Sequence, residues 1–148
     1  NSYLGLVKVA CIESGFRVEP NGATLADIVH NLQMDLFIVQ AELAGAAMQI
    51  NEKKVEHLSG IVNMIETQMP PITTFFVSGG TEIASLCDVA RTLARRAERR
   101  VIAVHEFSDQ RVNEHTLAFL NRLSSVLYAL ARYTNHRSDI AEISPTYQ

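Results

Sequence analysis

Residues 83–104 read IASLCDVARTLARRAERRVIAV, and two patterns are superimposed in them. Ile83, Leu86, Ala90, Leu93, Ala97, Val101 and Val104 recur at spacings of three and four, which is the pattern of one buried face of a long helix. Five arginines occupy its other faces. At 100° per residue Arg91, Arg95 and Arg99 stack along one stripe, and Arg96 and Arg100 form a second stripe beside it. The first pattern says that the helix packs against others; the second says that it carries charge needing a partner.

The rest of the chain repeats the helical period. Thr24 followed by Asp27 marks a helix start, with the Thr24 oxygen placed to accept from early amides and Asp27 near the positive end of the dipole. Leu25, Ile28, Leu32, Leu36, Val39, Leu43 and Ala46 then predict a helix to about Met48. Val55, Leu58, Val62, Ile65 and Met69 outline another, stopped by Pro70–Pro71. Leu117, Leu120, Leu123, Leu127 and Leu130 outline a further helix after a polar turn near Ser108–Asp109, ending near His136. Residues 1–13 read as the remainder of a helix, with Leu4, Val7 and Cys11 on one side and Gly15 as its stop. The segment ITTFFVSGG, residues 72–80, reads as a loop whose Gly79–Gly80 pair turns into the arginine helix.

Four or five helices of roughly 25 residues, with no convincing strand, predict an all-α, up-and-down four- or five-helix bundle. One domain over residues 1–136 is expected, followed by a mobile tail over 137–148. At 148 residues such a domain buries roughly 70% of its unfolded surface.

Composition narrows the function. The chain is 47% hydrophobic and 20% charged, as ordinary globular proteins are. Its net charge of −3 argues against nucleic acid as a partner. The apolar stretches are broken well before the ~20 residues of a membrane span, and no basic-then-apolar leader opens the chain. Cys11 and Cys87 show no CxxC or Cys/His spacing, so neither a disulfide framework nor a zinc site is expected, and a reducing, cytoplasmic setting is. His30, His57, His105, His115 and His136 are scattered, and no Glu-x-x-His occurs, against a di-iron bundle.

The arginine run contains one acid, Glu98, which can answer Arg95 or Arg91 and leaves several cations uncompensated. A polyphosphate fits such a stripe, because each guanidinium donates two parallel hydrogen bonds. A solvated charged face, or salt bridges to a neighbouring helix, would explain the same run. On the last helix a second polar line runs beside the leucines: Asn121, Ser124 or Ser125, Tyr128, Arg132 and Asn135. Such a line on a bundle helix implies a ligand pocket or a subunit interface.

RTLARRAERR (91–100), NRLSSVLYALAR (121–132) and FFVSGG (75–80) resemble the signature regions of the PduO-type ATP:cob(I)alamin adenosyltransferases, and the opening NSYLG resembles the end of that family's DELNS-type segment. The resemblance implies a five-helix bundle assembled as a homotrimer with active sites between adjacent subunits. It implies attack by cob(I)alamin on the ribose 5′ carbon of ATP, releasing tripolyphosphate and forming adenosylcobalamin, with Mg2+ accompanying the nucleotide. It places Arg91 near the subunit interface and the nucleotide, Arg95, Arg96, Glu98 and Arg99 around ATP, Asn121 on the nucleotide, and Ser124 near the cofactor. Arg91 and Arg95 are the catalytic pair it implies, and Phe75 would approach the corrin ring; without the resemblance, Phe75 and Phe76 read equally well as plugs for the bundle end. No protein metal ligand is implied. A reductase supplying cobalt(I) and an adenosylcobalamin-dependent enzyme are the implied further partners.

The chain departs from the family pattern in four places. The glycine- and threonine-rich N-terminal segment that wraps the ATP phosphates has no counterpart in these residues, and the acid expected opposite Arg91 would sit just before Asn1. Ser78 stands where a proline is usual, Ser125 where the family has an aspartate, and Tyr128 where it has a phenylalanine. The Ser125 change is expected to leave an arginine without its charge partner, at about 1–3 kcal/mol if buried. Two other readings stay open at this point: a non-catalytic ATP- or cobalamin-binding carrier or sensor of the same fold, and a helical interaction protein whose arginines meet an acidic partner.

Overall fold

The computed structural model describes residues 1–20 and 22–146. Its helices are α1 (Ser2–Ser14), α2 (Leu25–Leu43), α3 (Glu52–Glu66), α4 (Glu82–Phe107) and α5 (Glu114–Arg137). Only α4 and α5 reach the expected length. α2 stops at Leu43, short of Met48, because the chain turns at Gly45 with φ 91°, and Ala46 is exposed. The two-residue strands β1 (Arg17–Val18) and β2 (Ala23–Thr24) pair antiparallel between α1 and α2, a ribbon too short to carry any periodicity.

The helix ends follow their local chemistry. Thr24 and Asp27 form a reciprocal capping box on α2, and the bond from Thr24 holds the Asp27 carboxyl below its ordinary range. Asn51, Thr81 and Asn113 cap α3, α4 and α5, and Gly15 closes α1 in the left-handed conformation. Glu42 of α2 reaches across to the start of α5, where Oε1 accepts from the Asn113 amide at 2.7 Å and Oε2 from the Thr116 hydroxyl at 2.5 Å. Lys54 of α3 pairs with the buried Asp35 of α2.

α5 is the axis of the molecule. It packs on α4 along one side and α3 along another, while α1 joins α4 to α2. Consecutive helices therefore pack on each other in the pairs α1–α2 and α4–α5, whereas α3 lies mainly on α5. From Val126 to Asn135 every α5 residue except the half-buried Tyr128 is buried, as expected of a helix covered on several sides. The polar line predicted there splits accordingly. Arg132 and Asn135 lie inside the protein, and Asn121 faces out.

The buried stripe of α4 keeps Ile83, Ala90 and Val101 of the predicted one but is shifted by one residue elsewhere, to Cys87, Ala94 and Glu98 in place of Leu86, Leu93 and Ala97. Ile83, Cys87, Ala90, Ala94, Glu98 and Val101 face inward, while Ala97 is exposed and Val104 only marginally covered. The inward position at this height belongs to a carboxylate. The described part of the segment after α5 contacts the bundle: Arg132 forks onto Glu142 at 2.8 and 2.9 Å, and the Val77 amide donates to the Ile143 carbonyl at 2.8 Å.

Candidate active site

The facing surfaces of α4 and α5, with the loop between α3 and α4, line an open cavity of about 640 Å3. α4 contributes Arg91 and Arg95; α5 contributes Asn121, Ser124, Ser125 and Tyr128; the loop contributes Ile72, Thr73, Thr74, Phe75 and Phe76. On the other side of Arg91 and Arg95 lies a second concavity of about 710 Å3, lined by those two and by Thr92, Arg96, Arg99, Arg100 and Ala103. Two arginines thus form the wall between an aromatic, hydroxyl-bearing cavity and a cationic trough.

Glu98 organises that wall from inside. Its side chain is only 6% exposed, yet both oxygens are used: Oε2 accepts from Arg95 Nη1 at 2.8 Å, and Oε1 from Asn121 Nδ2 at 2.9 Å. A buried carboxylate is tolerated when it is paired and hydrogen-bonded in this way. Ser124 turns back to the Asn121 carbonyl at 2.9 Å, fixing the α5 side. Arg96, Arg99 and Arg100 are exposed and form no ion pair among the described residues, so the trough keeps its positive charge.

Arg91 is held differently. Its Nε lies 3.7 Å from Asp88 Oδ1, within ion-pair range but beyond a hydrogen bond, and is buried without a hydrogen-bond partner among the described residues. Its guanidinium carbon lies 5.8 Å from the Tyr128 ring centre, a cation–π distance. Burial raises the Tyr128 hydroxyl above the ordinary phenol range, offset in part by Arg132 and Arg91, so it is neutral at physiological pH.

The loop is tied down at one end. Asn135 accepts from the Thr81 amide at 2.9 Å and donates to the Gly79 carbonyl at 2.8 Å. Gly80 has φ 107°, and a Cβ there would collide with the Asn135 side chain, so the position needs glycine on both counts. Phe76 stacks on Arg132 at 5.3 Å, whereas Phe75 is 79% exposed at the cavity mouth. The two rings, indistinguishable in sequence, thus have different environments. The Glu142 fork pushes the Arg132 pKa above its already high ordinary value, so it stays charged.

The family model for cobalamin adenosyltransferases matches residues 1–134. The chain belongs to the cobalamin adenosyltransferase family. Corrinoid adenosyltransferases similar to it include one from Bacillus subtilis, 33% identical over 97% of this chain and 72% of its own length, and PduO of Citrobacter freundii, 38% identical over 74% of this chain and 34% of its own. The chain spans about a third of the latter and 52% of a human relative that is 31% identical. A variant PduO-type ATP:corrinoid adenosyltransferase from Lactobacillus reuteri, solved with cobalamin and ATP, superposes with a TM-score of 0.83 at 25% identity, covering 99% of this chain and 80% of that one.

Within this adenosyltransferase fold, the residues singled out from sequence fall into three groups. Arg91, Arg95, Asn121, Ser124 and Phe75 meet around one cavity, Arg96 and Arg99 line the adjoining trough, and Glu98 lies beneath them. Sequence reading passed over Thr73, Thr74 and Asp88. The threonines sit in a loop without periodicity, so nothing set them apart. Asp88 was legible as an acid three residues before Arg91, a spacing that puts the two on one helix face.

Proposed function

We propose that this chain transfers the 5′-deoxyadenosyl group of ATP to cob(I)alamin, forming adenosylcobalamin and releasing tripolyphosphate. The observation that carries the reading is the shared wall: Arg91 and Arg95 line both the aromatic cavity and the arginine trough. A flat, largely apolar corrin suits the first and a triphosphate the second, and the ribose carbon joining them would lie over the ridge between.

In this reaction the electron pair of cobalt(I) forms the bond to C5′ while the C5′–O bond breaks and its pair departs on tripolyphosphate. No proton moves, so no general base is required. The residues align the reactants and stabilise charge gathering on the leaving group. Arg91 and Arg95 are proposed as the catalytic contacts, with Arg96 and Arg99 donating forked hydrogen bonds to phosphate oxygens. Glu98 acts through the two groups it holds, Arg95 and Asn121. Asn121 is assigned to the nucleotide, Ser124 to the cofactor side, and Phe75 to an apolar wall against the corrin ring.

Among the described residues no three His, Cys, Asp or Glu side chains come together as a metal cage. Magnesium is proposed to travel on the triphosphate, held by phosphate oxygens and water. Residues 1–136 form the proposed catalytic unit, and 137–148 its tail. A homotrimer with active sites between subunits belongs to the proposal, supported by Leu6, Val9, Met34 and Phe37, large apolar side chains exposed on α1 and α2. A reductase supplying cobalt(I) and an enzyme consuming adenosylcobalamin complete the proposed partners. No helix among the described residues is long and apolar enough to cross a membrane. A cytoplasmic setting is proposed from the two free, buried thiols. A carrier that binds both ligands without reacting is not favoured, since the similar proteins are named as transferases.

The test is the absorbance of reduced cob(I)alamin mixed with ATP, magnesium and the full-length protein. Conversion to adenosylcobalamin is expected. Arg95→Ala should abolish it without altering the helical circular dichroism, and full activity in that variant overturns the assignment of Arg95.

A further inference from the structure

The turn at Gly79 is clamped from two helices. Its carbonyl accepts from Asn135 of α5, and its amide donates to Asp88 Oδ2 of α4 at 3.2 Å. The other oxygen of the same carboxylate, Oδ1, is the atom 3.7 Å from Arg91 Nε, which has no hydrogen-bond partner among the described residues. The Asp88 side chain is 12% exposed, so its charge acts on Arg91 with little screening by solvent. Ser125, which shares the cavity with Arg91, is uncharged, and Tyr128 offers its ring face. Asp88 is the carboxylate paired with Arg91 among the described residues.

We infer that Asp88 is a positioning residue: one carboxylate sets both the loop that carries Phe75 and the arginine that divides the cavity from the trough. This rests on the proposed adenosyl transfer, in which the loop faces the corrin and Arg91 faces the nucleotide. Because a single side chain fixes both, the separation between the two binding surfaces is built into α4 rather than left to the mobility of a loop. Asp88 touches neither reacting group. Its effect passes through Arg91 and the Gly79 amide.

Three variants separate these functions. Asp88→Asn keeps an oxygen for the Gly79 amide and removes the charge facing Arg91. Asp88→Glu keeps the charge and shifts it by one methylene. Ser125→Asp supplies a new carboxylate in the cavity that Arg91 lines. ATP affinity by calorimetry and kcat and KM for ATP are measured on each, with thermal melting to account for folding. Asp88→Asn should weaken ATP binding and lower kcat/KM about tenfold, the scale of one partly desolvated charge pair. Asp88→Glu should stay within about threefold of the parent, and Ser125→Asp should shrink the effect of Asp88→Asn to a similar factor. Unchanged ATP affinity in Asp88→Asn overturns the inference. So does an equal loss with and without Ser125→Asp, which would assign Asp88 to the loop alone. A parent protein that binds ATP without turnover sinks the transfer reaction but leaves the role of Asp88 readable in the titration. A parent that binds no ATP overturns both.

Discussion

Replacing Glu98 with Gln removes one charge from a nearly enclosed position and unbalances two hydrogen bonds at once. The carboxylate accepts from Arg95 on one oxygen and from Asn121 on the other. An amide offers one acceptor oxygen, so one of these donors must then face an NH2 group. The Arg95 side chain is 49% exposed, so the loss of that ion pair is discounted to about 0.5–1 kcal/mol. The Asn121 bond ends on a buried charged acceptor, and losing it costs about 1.5 kcal/mol. The total, on the order of 2 kcal/mol, corresponds to a fall in Tm of about 6–8 °C for a domain of this size. If Arg95 must be held to grip phosphate, KM for ATP should also rise about five- to tenfold. Calorimetric melting and steady-state kinetics with ATP as the varied substrate measure the two effects. A Glu98→Gln protein melting within about 2 °C of the parent, with KM for ATP unchanged, would refute the claim that this carboxylate organises the wall.

Gly80→Ala should be among the most damaging single-methyl changes in the chain, since it combines a positive φ of 107° with a collision against Asn135. About 3 kcal/mol and a Tm lower by roughly 10 °C are expected, and a melt unaltered by the substitution would contradict the clamp described at this turn. Burial raises the Cys11 thiol to about 11 and Cys87 higher still, so both are protonated and slow to react at neutral pH. A group whose folded pKa lies above its unfolded value contributes stability that is whole below the unfolded value and declines as pH rises past it. Tm should therefore fall as pH climbs from about 9 toward 11, and thiol reagents at pH 8 should label both cysteines only when the protein is unfolded. Rapid labelling of either one in the native protein contradicts the burial.

The helices were legible because their information is local. Capping by Thr24 and Asp27, the stop at Pro70–Pro71 and the apolar spacing of α4 and α5 each act within a few residues. What escaped the pattern was set by tertiary contact. Ala97 and Glu98 show the reason well: periodicity favours the alanine as the inward residue, yet the carboxylate lies inside because Arg95 and Asn121 satisfy it there, and Asn121 is on another helix. Likewise Arg132 reads as one polar residue in a line, and only the fold reveals Glu142 and Phe76 around it. The placement of α3 on α5 rests on packing that no single segment encodes. For the candidate site, the arginine stripe and the signature regions pick out residues that line the cavity and the trough. Their division into a cavity, a trough and a shared wall needed coordinates.

The identity of the phosphorus product tests the central claim most directly. Full-length protein is incubated with cob(I)alamin, ATP and magnesium, and phosphorus NMR is recorded alongside quantitation of adenosylcobalamin. Attack at C5′ with Arg91 and Arg95 stabilising the departing chain requires intact tripolyphosphate, formed in equal amount with adenosylcobalamin. ADP with inorganic phosphate, or adenosylcobalamin without a matching release of tripolyphosphate, would contradict it.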